Sequence, residues 1–299
     1  MGNSDHFFVS TREVQVSDPR FCIKADLKIP KNKESNRGIV LVHGAIINRK
    51  SLSRDTLSLA GYLSDKLDAY VITPDYLGET TYPSQKTMTR FSEVVDQSVQ
   101  YLCEGYGVDD VMGFGHSMGC YVLVGAANIN DSISHLVTYG GPTEHILKNR
   151  QKNFLNYLIK YLYSFNYSVD LRNLLHYLFD PETVRYLKEV MMVEPEYAGD
   201  NYDFNLDPDL VENAVEILTN YIKDLNAWGK PALMLFGEED SLVSKSIKHL
   251  PDGHRMDNVL VKHIKRASHI TPCMDSLVNL RKLDPMLIFH RTLVKAGML

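Results

Sequence analysis

VMGFGHSMGCYVLVG, residues 111–125, passes from an apolar strand into a helix through a glycine-rich turn. Ser117 stands at the centre of the turn, in a G-x-S-x-G pattern that runs from Gly115 to Gly119. Small residues beside the serine permit a turn so sharp that the strained backbone lifts the hydroxyl above the edge of the sheet. The sequence therefore predicts Ser117 as a nucleophile at a strand-to-helix junction, provided that the chain also supplies a base, an acid and an oxyanion hole.

Apolar runs of the same character recur along the chain and predict the sheet to which this turn belongs. Because such runs are buried on both faces, they are typical of strands in a parallel sheet. They lie at 38–44, 69–75, 110–117, 133–141 and 231–240, with a last one at 258–265. Two earlier segments, 11–17 and 21–30, alternate polar and apolar residues and predict an antiparallel pair at the sheet edge.

Helical segments alternate with these strands. Residues 91–104 place apolar side chains on one face at spacings of three and four, which is typical of a helix packed on a sheet. A second helix is predicted at 118–127, directly after the glycine turn, and a helical region that Pro285 breaks or kinks is predicted at 274–295. The alternation predicts an α/β fold, with a mostly parallel central sheet flanked by helices.

Residues 143–229 interrupt the alternation and predict an inserted α-helical cap, or lid, after the sixth strand. The segment has helical stretches, no convincing strand run and many aromatic residues. Residues 1–142 and 230–299 would then form the core domain. Aromatic residues at helical spacing commonly pack a cap onto its core, but a cap over the carboxyl edge of a sheet also encloses a cavity. Tyr157, Tyr161 and Tyr163 are therefore candidates for substrate binding.

The base is sought among eleven histidines. A serine hydroxyl is a poor nucleophile at neutral pH and needs a base within hydrogen-bond reach. His269 follows the last predicted strand and precedes the final helical region, which favours it as the base. His43 and His116 lie beside glycines, and His263 lies inside a strand pattern, so we expect structural roles for these three.

The acid and the oxyanion donors are predicted from the ends of other strands. A general base needs a carboxylate that holds its tautomer and stabilises the imidazolium. Asp240 stands three residues after Gly237 at the end of an apolar strand, with Glu239 as the alternative. The developing oxyanion needs backbone N–H groups, which Met118 and Ala45 are placed to supply.

These motifs together resemble the α/β-hydrolase fold family, from about residue 36 to the C-terminus. The resemblance rests on the chain order Ser…Asp…His, the H-G turn after an apolar strand, the G-H-S-M-G elbow, the G-x-x-D strand end and the S-H before the last helix. It implies about eight strands and a cap in the usual place. It also implies that Ser117 is the nucleophile, His269 the base and Asp240 the acid, with Ala45 and Met118 as oxyanion donors.

Composition restricts the partners and the cellular setting. A formal net charge of -5, a pI near 6.1 and scattered basic residues argue against a nucleic-acid surface. No apolar run approaches a membrane span and the first residues lack a signal-peptide pattern, so we expect a cytoplasmic protein without stable membrane insertion. The four cysteines form no C-x-x-C pair, and we expect no metal and no cofactor. Formation of a homo-oligomer stays open.

The leading functional expectation is a serine carboxylesterase that acts on a small apolar ester. The aromatic cap favours an apolar or aromatic acyl or alcohol group, cleaved through an acyl-enzyme intermediate. The same triad would also serve a thioesterase, an amidase or a carbon–carbon bond hydrolase, the last with Arg54, Arg172 and Arg185 available for an acidic substrate. An alternative of another class is a small-molecule receptor on the same fold.

Overall fold

The structure is a computed structural model of the 299-residue chain. It describes residues 10–18, 21–45, 47–54, 58–77, 87–141, 143, 169–170, 205–206, 220–240, 243 and 249–273. Several predictions fall outside these residues, namely the C-terminal helical region, most of the helical cap, and the candidates Tyr157, Tyr161, Tyr163, Arg172 and Arg185.

A nine-stranded sheet forms the centre of the fold. The chain-order numbering is β1 (Ser10–Asp18), β2 (Phe21–Ile29), β3 (Arg37–Val42), β4 (Tyr70–Pro74), β5 (Asp110–His116), β6 (Ile133–Tyr139), β7 (Val169–Asp170), β8 (Asn205–Leu206), β9 (Ala232–Gly237), β10 (Arg255–Met256) and β11 (Val259–Ile264). The order in the sheet is β1-β2-β4-β3-β5-β6-β9-β11-β10, while β7 and β8 form a separate antiparallel pair.

The predicted fold class is confirmed. Six neighbouring strands of the sheet run parallel, in the order β4, β3, β5, β6, β9 and β11. Among the described strands of this sheet, the antiparallel pairs lie at its two edges. The edge pair β1–β2 is antiparallel, as predicted, and its register places Val14 opposite Ala25. At the other edge the two-residue strand β10 adds a short antiparallel pairing that the sequence did not predict. It brings the described strands of this sheet to nine.

Helices cover both faces of the sheet: α1 (Lys50–Ser53), α2 (Leu59–Leu67), α3 (Met88–Tyr106) and α4 (Gly119–Ala127), with a further helix at 220–228 and a 3₁₀ turn at Thr271–Cys273. The long helix α3 begins where the Thr87 side chain accepts a hydrogen bond from the N–H of Arg90, and it ends at Gly107 in the left-handed conformation. Among the described residues, no helix has the length and apolar character needed to cross a lipid bilayer.

The continuous apolar run of β3 is explained by burial on both faces. Val40 and Val42 belong to one hydrophobic cluster, which also includes residues of α3 and α4. Ile39 and Leu41 alternate with them and belong to a second cluster on the opposite face, together with residues of α1 and α2. A strand covered on both sides has no polar face, which is why its sequence does not alternate.

Two parts of the predicted insertion are described. β7 and β8 pair within it, although the sequence showed no strand pattern there. Residues 220–228 form a helix whose Tyr221 and Leu225 are buried in the same cluster as α4. The last segment before β9 therefore packs directly on the sheet domain.

Gly119 allows the closest backbone approach in this part of the fold. A Cβ atom at this position would lie 2.3 Å from the carbonyl oxygen of Val42 and 2.4 Å from that of His43. We expect Gly119→Ala to lower the free energy of unfolding by about 1–3 kcal/mol, because the backbone of β3 or α4 must move. The matched control is Gly105→Ala inside α3, where an added Cβ meets nothing within 4 Å.

The Gly105→Ala variant should instead raise the free energy of unfolding by up to about 1 kcal/mol, through helix propensity alone. Urea unfolding followed by the fluorescence of Trp228, the single tryptophan, measures both changes. Equal effects of the two substitutions would contradict the role assigned to Gly119.

Candidate active site

The turn after β5 holds Ser117 in the left-handed conformation, with φ of 53°. Such a φ is uncommon for a residue with a side chain and costs free energy that the surroundings must supply. The Ser117 N–H donates a hydrogen bond to the carbonyl of Tyr139 at 2.9 Å. Gly115 and Gly119 allow the turn to close, since a Cβ on Gly115 would lie 2.7 Å from the carbonyl oxygen of Gly119.

Asp240 and His269 are in direct contact. The Nδ1 of His269 lies 2.7 Å from Oδ2 of Asp240, and both side chains are almost completely buried. Because the carboxylate can only accept, Nδ1 carries the proton, which leaves Nε2 as the basic nitrogen in the neutral imidazole. Glu239, the alternative acid, has an exposed side chain.

Gly140 connects the serine turn with the Asp240–His269 pair. It follows Tyr139, whose carbonyl accepts the Ser117 N–H, and it adopts a left-handed φ of 63°. A Cβ on Gly140 would lie 3.0 Å from Nδ1 of His269 and 3.1 Å from Oδ2 of Asp240. Gly140 was not among the residues predicted for the site, although its signal is present in the sequence as the glycine pair that ends the β6 run.

The predicted oxyanion donors lie at the ends of two neighbouring strands. Met118 directly precedes α4, whose N-terminus favours negative charge. Ala45 follows the end of β3, where Gly44 approaches so closely that an added Cβ would be 3.1 Å from Cβ of Ser117. Within the described parts of the chain, neither the Ala45 nor the Met118 N–H donates to another protein group.

An ionic cluster centred on the buried Arg49 lies beside this loop and was not predicted from the sequence; Asp26 and Asp75 in it are buried, whereas Glu13 is exposed. The guanidinium contacts Glu13 on β1 at 2.6 Å, Asp26 on β2 at 3.2 Å and Asp75 after β4 at 3.0 Å. Lys50 adds a second cation 2.8 Å from Asp26. The three carboxylates are far apart in sequence, so no local pattern could have shown that they meet.

The Arg49 cluster anchors Arg49 and Lys50 to β1, β2 and the residue after β4. Paired and hydrogen-bonded charges avoid the desolvation cost that an isolated buried charge would carry. His43, directly after β3, stacks on Tyr76 with ring centroids 4.5 Å apart, and the Tyr76 hydroxyl donates to the His43 carbonyl at 2.7 Å. His43 therefore has the structural role that the sequence predicted.

His116 is buried beside the catalytic candidates. Its Nε2 lies 2.8 Å from the carbonyl oxygen of His269 and must donate to it. Burial, and then the neighbouring His269, lower the pKa of His116 from 6.5 to about 3. His116 is therefore neutral over the range in which a histidine base works.

The sequence profile of the alpha/beta hydrolase fold matches residues 39–272. The chain therefore belongs to the α/β-hydrolase fold family, as the elbow and the order of its motifs indicated. A search of curated protein sequences finds no match.

Similar solved structures include 2-hydroxy-6-oxo-6-phenylhexa-2,4-dienoate hydrolase from Rhodococcus sp. strain RHA1, with 18% identity and a TM-score of 0.61 over 95% of this chain and 99% of that one. Est1E from Butyrivibrio proteoclasticus is similar at 15% identity and a TM-score of 0.55, with 95% and 99% covered. A putative lipase from Acinetobacter baumannii has 16% identity and a TM-score of 0.57, with 96% and 93% covered. At these identities the likeness establishes the fold.

The lowered pKa of His116 predicts a pH dependence of stability. Between pH 6.5 and about 3 the unfolded chain binds a proton at this residue that the folded chain does not. Above pH 6.5 His116 is neutral in both states and the free energy of unfolding does not depend on its titration. Below pH 6.5 the free energy of unfolding falls by up to about 1.4 kcal/mol per pH unit, because only the unfolded chain takes up the proton. We expect the wild type to lose stability faster than His116→Gln between pH 6 and 4.

Urea unfolding of both proteins at several pH values measures the difference. All other titrating groups are shared by the two chains, so their contributions cancel. Parallel stability curves for the wild type and the variant would show that His116 is not held neutral by burial.

Proposed function

We propose that this protein is a serine hydrolase that cleaves a carboxylic ester with an apolar or aromatic group through an acyl-enzyme intermediate. The observation that carries the proposal is the buried 2.7 Å contact between His269 and Asp240, joined through Gly140 and Tyr139 to the left-handed Ser117. Esters are the substrate class because an alcohol leaving group needs no machinery beyond this set of residues.

Proton transfer begins at Ser117. Its hydroxyl attacks the ester carbonyl while Nε2 of His269 takes the hydroxyl proton. Asp240 accepts the Nδ1 hydrogen bond throughout and stabilises the imidazolium, which burial would otherwise disfavour. His269 then returns the proton to the leaving alcohol, and a water that His269 deprotonates releases the acid from Ser117.

The N–H groups of Met118 and Ala45 stabilise the negative charge that develops on the carbonyl oxygen. Each such donor contributes on the order of 10² to 10³ in kcat in enzymes of this chemistry. The ion pairs of Arg49 with Asp26 and Asp75 fix the chain four residues after Ala45, which supports an oxyanion donor that is in place before the substrate binds.

The similar structures support a hydrolase and an aromatic group. Est1E has been solved with ferulic acid bound, and ferulic acid is an aromatic carboxylic acid. The Rhodococcus enzyme, by its name, acts on a phenyl-substituted dienoate. A thioester or amide would engage the same residues and differs only in its leaving group.

Carbon–carbon bond hydrolysis is the second candidate, favoured by the likeness to the Rhodococcus enzyme. It requires a cation for an acidic substrate. Arg54, at the end of α1, has an exposed side chain, and Arg49 is already surrounded by three carboxylates. Arg172 and Arg185, the other two candidates, lie outside the described residues. A receptor on the same fold would bind an apolar molecule without turnover.

Labelling with a fluorophosphonate probe tests whether Ser117 is activated. We expect the wild type to be labelled and to hydrolyse at least one p-nitrophenyl ester, and we expect Ser117→Ala to do neither. A folded wild type that is not labelled and hydrolyses no p-nitrophenyl ester of any chain length would contradict the proposed function. Turnover of a vinylogous diketone acid, without ester cleavage, would select the carbon–carbon hydrolase.

Replacing the acid tests the assignment of Asp240 over Glu239. Asp240→Asn should lower kcat by on the order of 10⁴, because an amide at this position favours the wrong tautomer of His269. Glu239→Gln, which removes an adjacent exposed carboxylate, is the matched control and should leave kcat within about twofold. A larger loss in Glu239→Gln than in Asp240→Asn would reassign the acid.

A further inference from the structure

Two consecutive carbonyl groups in the loop that carries His269 are held by side chains from neighbouring strands. The Tyr139 hydroxyl at the end of β6 donates to the carbonyl of Ser268 at 2.7 Å. Nε2 of His116, at the end of β5, donates to the carbonyl of His269 itself at 2.8 Å. Both donors are almost fully buried, so these hydrogen bonds are shielded from competing water.

The two donors also border the serine turn. His116 directly precedes Ser117, and the backbone carbonyl of Tyr139 accepts the Ser117 N–H at 2.9 Å. The same two residues therefore contact the backbone on the nucleophile side and the backbone on the base side. Any displacement of the His269 loop relative to Ser117 would stretch one of these hydrogen bonds.

We propose that His116 and Tyr139 are positioning residues that hold the backbone of the His269 loop in register with Ser117. The inference rests on the proposed function, in which Ser117 and His269 exchange a proton. Small errors in the placement of reacting groups are costly, since a displacement near 1 Å can reduce the rate about a hundredfold. Hydrogen bonds between Ser268 and Thr271 shape the loop internally, but its position relative to Ser117 depends on contacts with the neighbouring strands.

The chemistry of His116 suits this role. Since Nε2 donates to the His269 carbonyl, Nδ1 is the unprotonated nitrogen, and it lies 3.6 Å from Sγ of Cys273 in the 3₁₀ turn after the loop. Burial raises the pKa of Cys273 to about 12, so its thiol keeps its proton and can donate to Nδ1. The neutral His116 ring thus contacts the chain at His269 and again at Cys273.

The neutral state of His116 also matters for His269, the proposed base. The rings of His116 and His269 have centroids 5.0 Å apart. A positive charge on His116 would oppose the imidazolium that forms on His269 during the reaction. A hydrogen-bond donor without charge, such as the neutral imidazole or a glutamine amide, fixes the loop without this repulsion.

A purely structural role for these hydrogen bonds makes a different prediction. Loss of a buried hydrogen bond would then lower stability and leave the kinetics of the folded protein unchanged. Positioning instead lowers kcat in protein that is folded, leaves KM nearly unchanged, and is restored by a side chain that donates at the same point.

The experiment compares His116→Leu, His116→Gln and Tyr139→Phe with the wild type, by p-nitrophenyl ester kinetics and by the rate of fluorophosphonate labelling. His263→Leu is the matched control, because Nε2 of His263 also donates to a carbonyl, that of Leu250, at 2.8 Å. Tyr139→Phe removes a single oxygen, so it tests the proposal even if His116→Leu fails to fold.

We expect His116→Leu and Tyr139→Phe to lower kcat between roughly tenfold and a hundredfold with KM within about twofold. His116→Gln should recover most of the lost rate, since its amide can reach the position of Nε2. His263→Leu should retain wild-type kcat. The double variant His116→Leu/Tyr139→Phe should show a fold-reduction in kcat smaller than the product of the two single reductions, because both residues hold one loop.

Wild-type kcat in folded Tyr139→Phe and His116→Leu would overturn the proposal, and so would equal losses in His116→Gln and His116→Leu. Amide hydrogen exchange of residues 267–273 gives a readout that needs no turnover. Faster exchange in the two loss variants, and not in His263→Leu, is expected even if the wild type proves to lack esterase activity. Faster exchange in the two loss variants of a protein without esterase activity would refute the proposed function and retain the positioning role of His116 and Tyr139. Unchanged exchange would refute that positioning role.

Discussion

Close backbone packing at the carboxyl ends of β3, β5 and β6 is the constraint on which the site depends. The first residue of α4 lies so near the Val42 and His43 carbonyls that only a glycine fits, and Gly140 approaches the Asp240–His269 pair less closely, with 3.0 Å between an added Cβ and Nδ1 of His269. These approaches flank the left-handed turn at Ser117, whose N–H donates to the carbonyl of Tyr139. The strain of that turn is tolerated because rigid strands on both sides leave the chain no alternative path.

Charge is buried around this packing in two different ways. On one side, Arg49 is matched by carboxylates from β1, β2 and the end of β4, and these contacts tie the start of α1 to the sheet edge. On the other side, His116 is kept uncharged by burial and acts as a donor to a carbonyl. Pairing and neutrality both avoid an isolated buried charge, and they leave Asp240 as the charge that faces the base.

Local patterns accounted for most of the sheet and for the order of the site residues. The apolar runs at 38–44 and 110–117 correspond to β3 and β5, because burial on both faces leaves a continuous signal in the sequence. The two-residue strand β10 and the β7–β8 pair gave no such signal, since so few residues show no period. The 220–228 helix was assigned to the insertion because its contacts with the core are not local.

By itself, the sequence determined the fold class, the strand-to-helix turn at Ser117 and the strand ends at which Asp240 and His269 stand. Each of these is a local property, set by burial pattern, glycine content and position after a strand. Only the tertiary structure decided that Asp240 rather than Glu239 contacts His269, that Arg49 gathers three carboxylates, and that His116 and Tyr139 hold the His269 loop. Those contacts join residues up to 153 positions apart, and their distances depend on how strands twist and pack, which no short stretch of chain encodes.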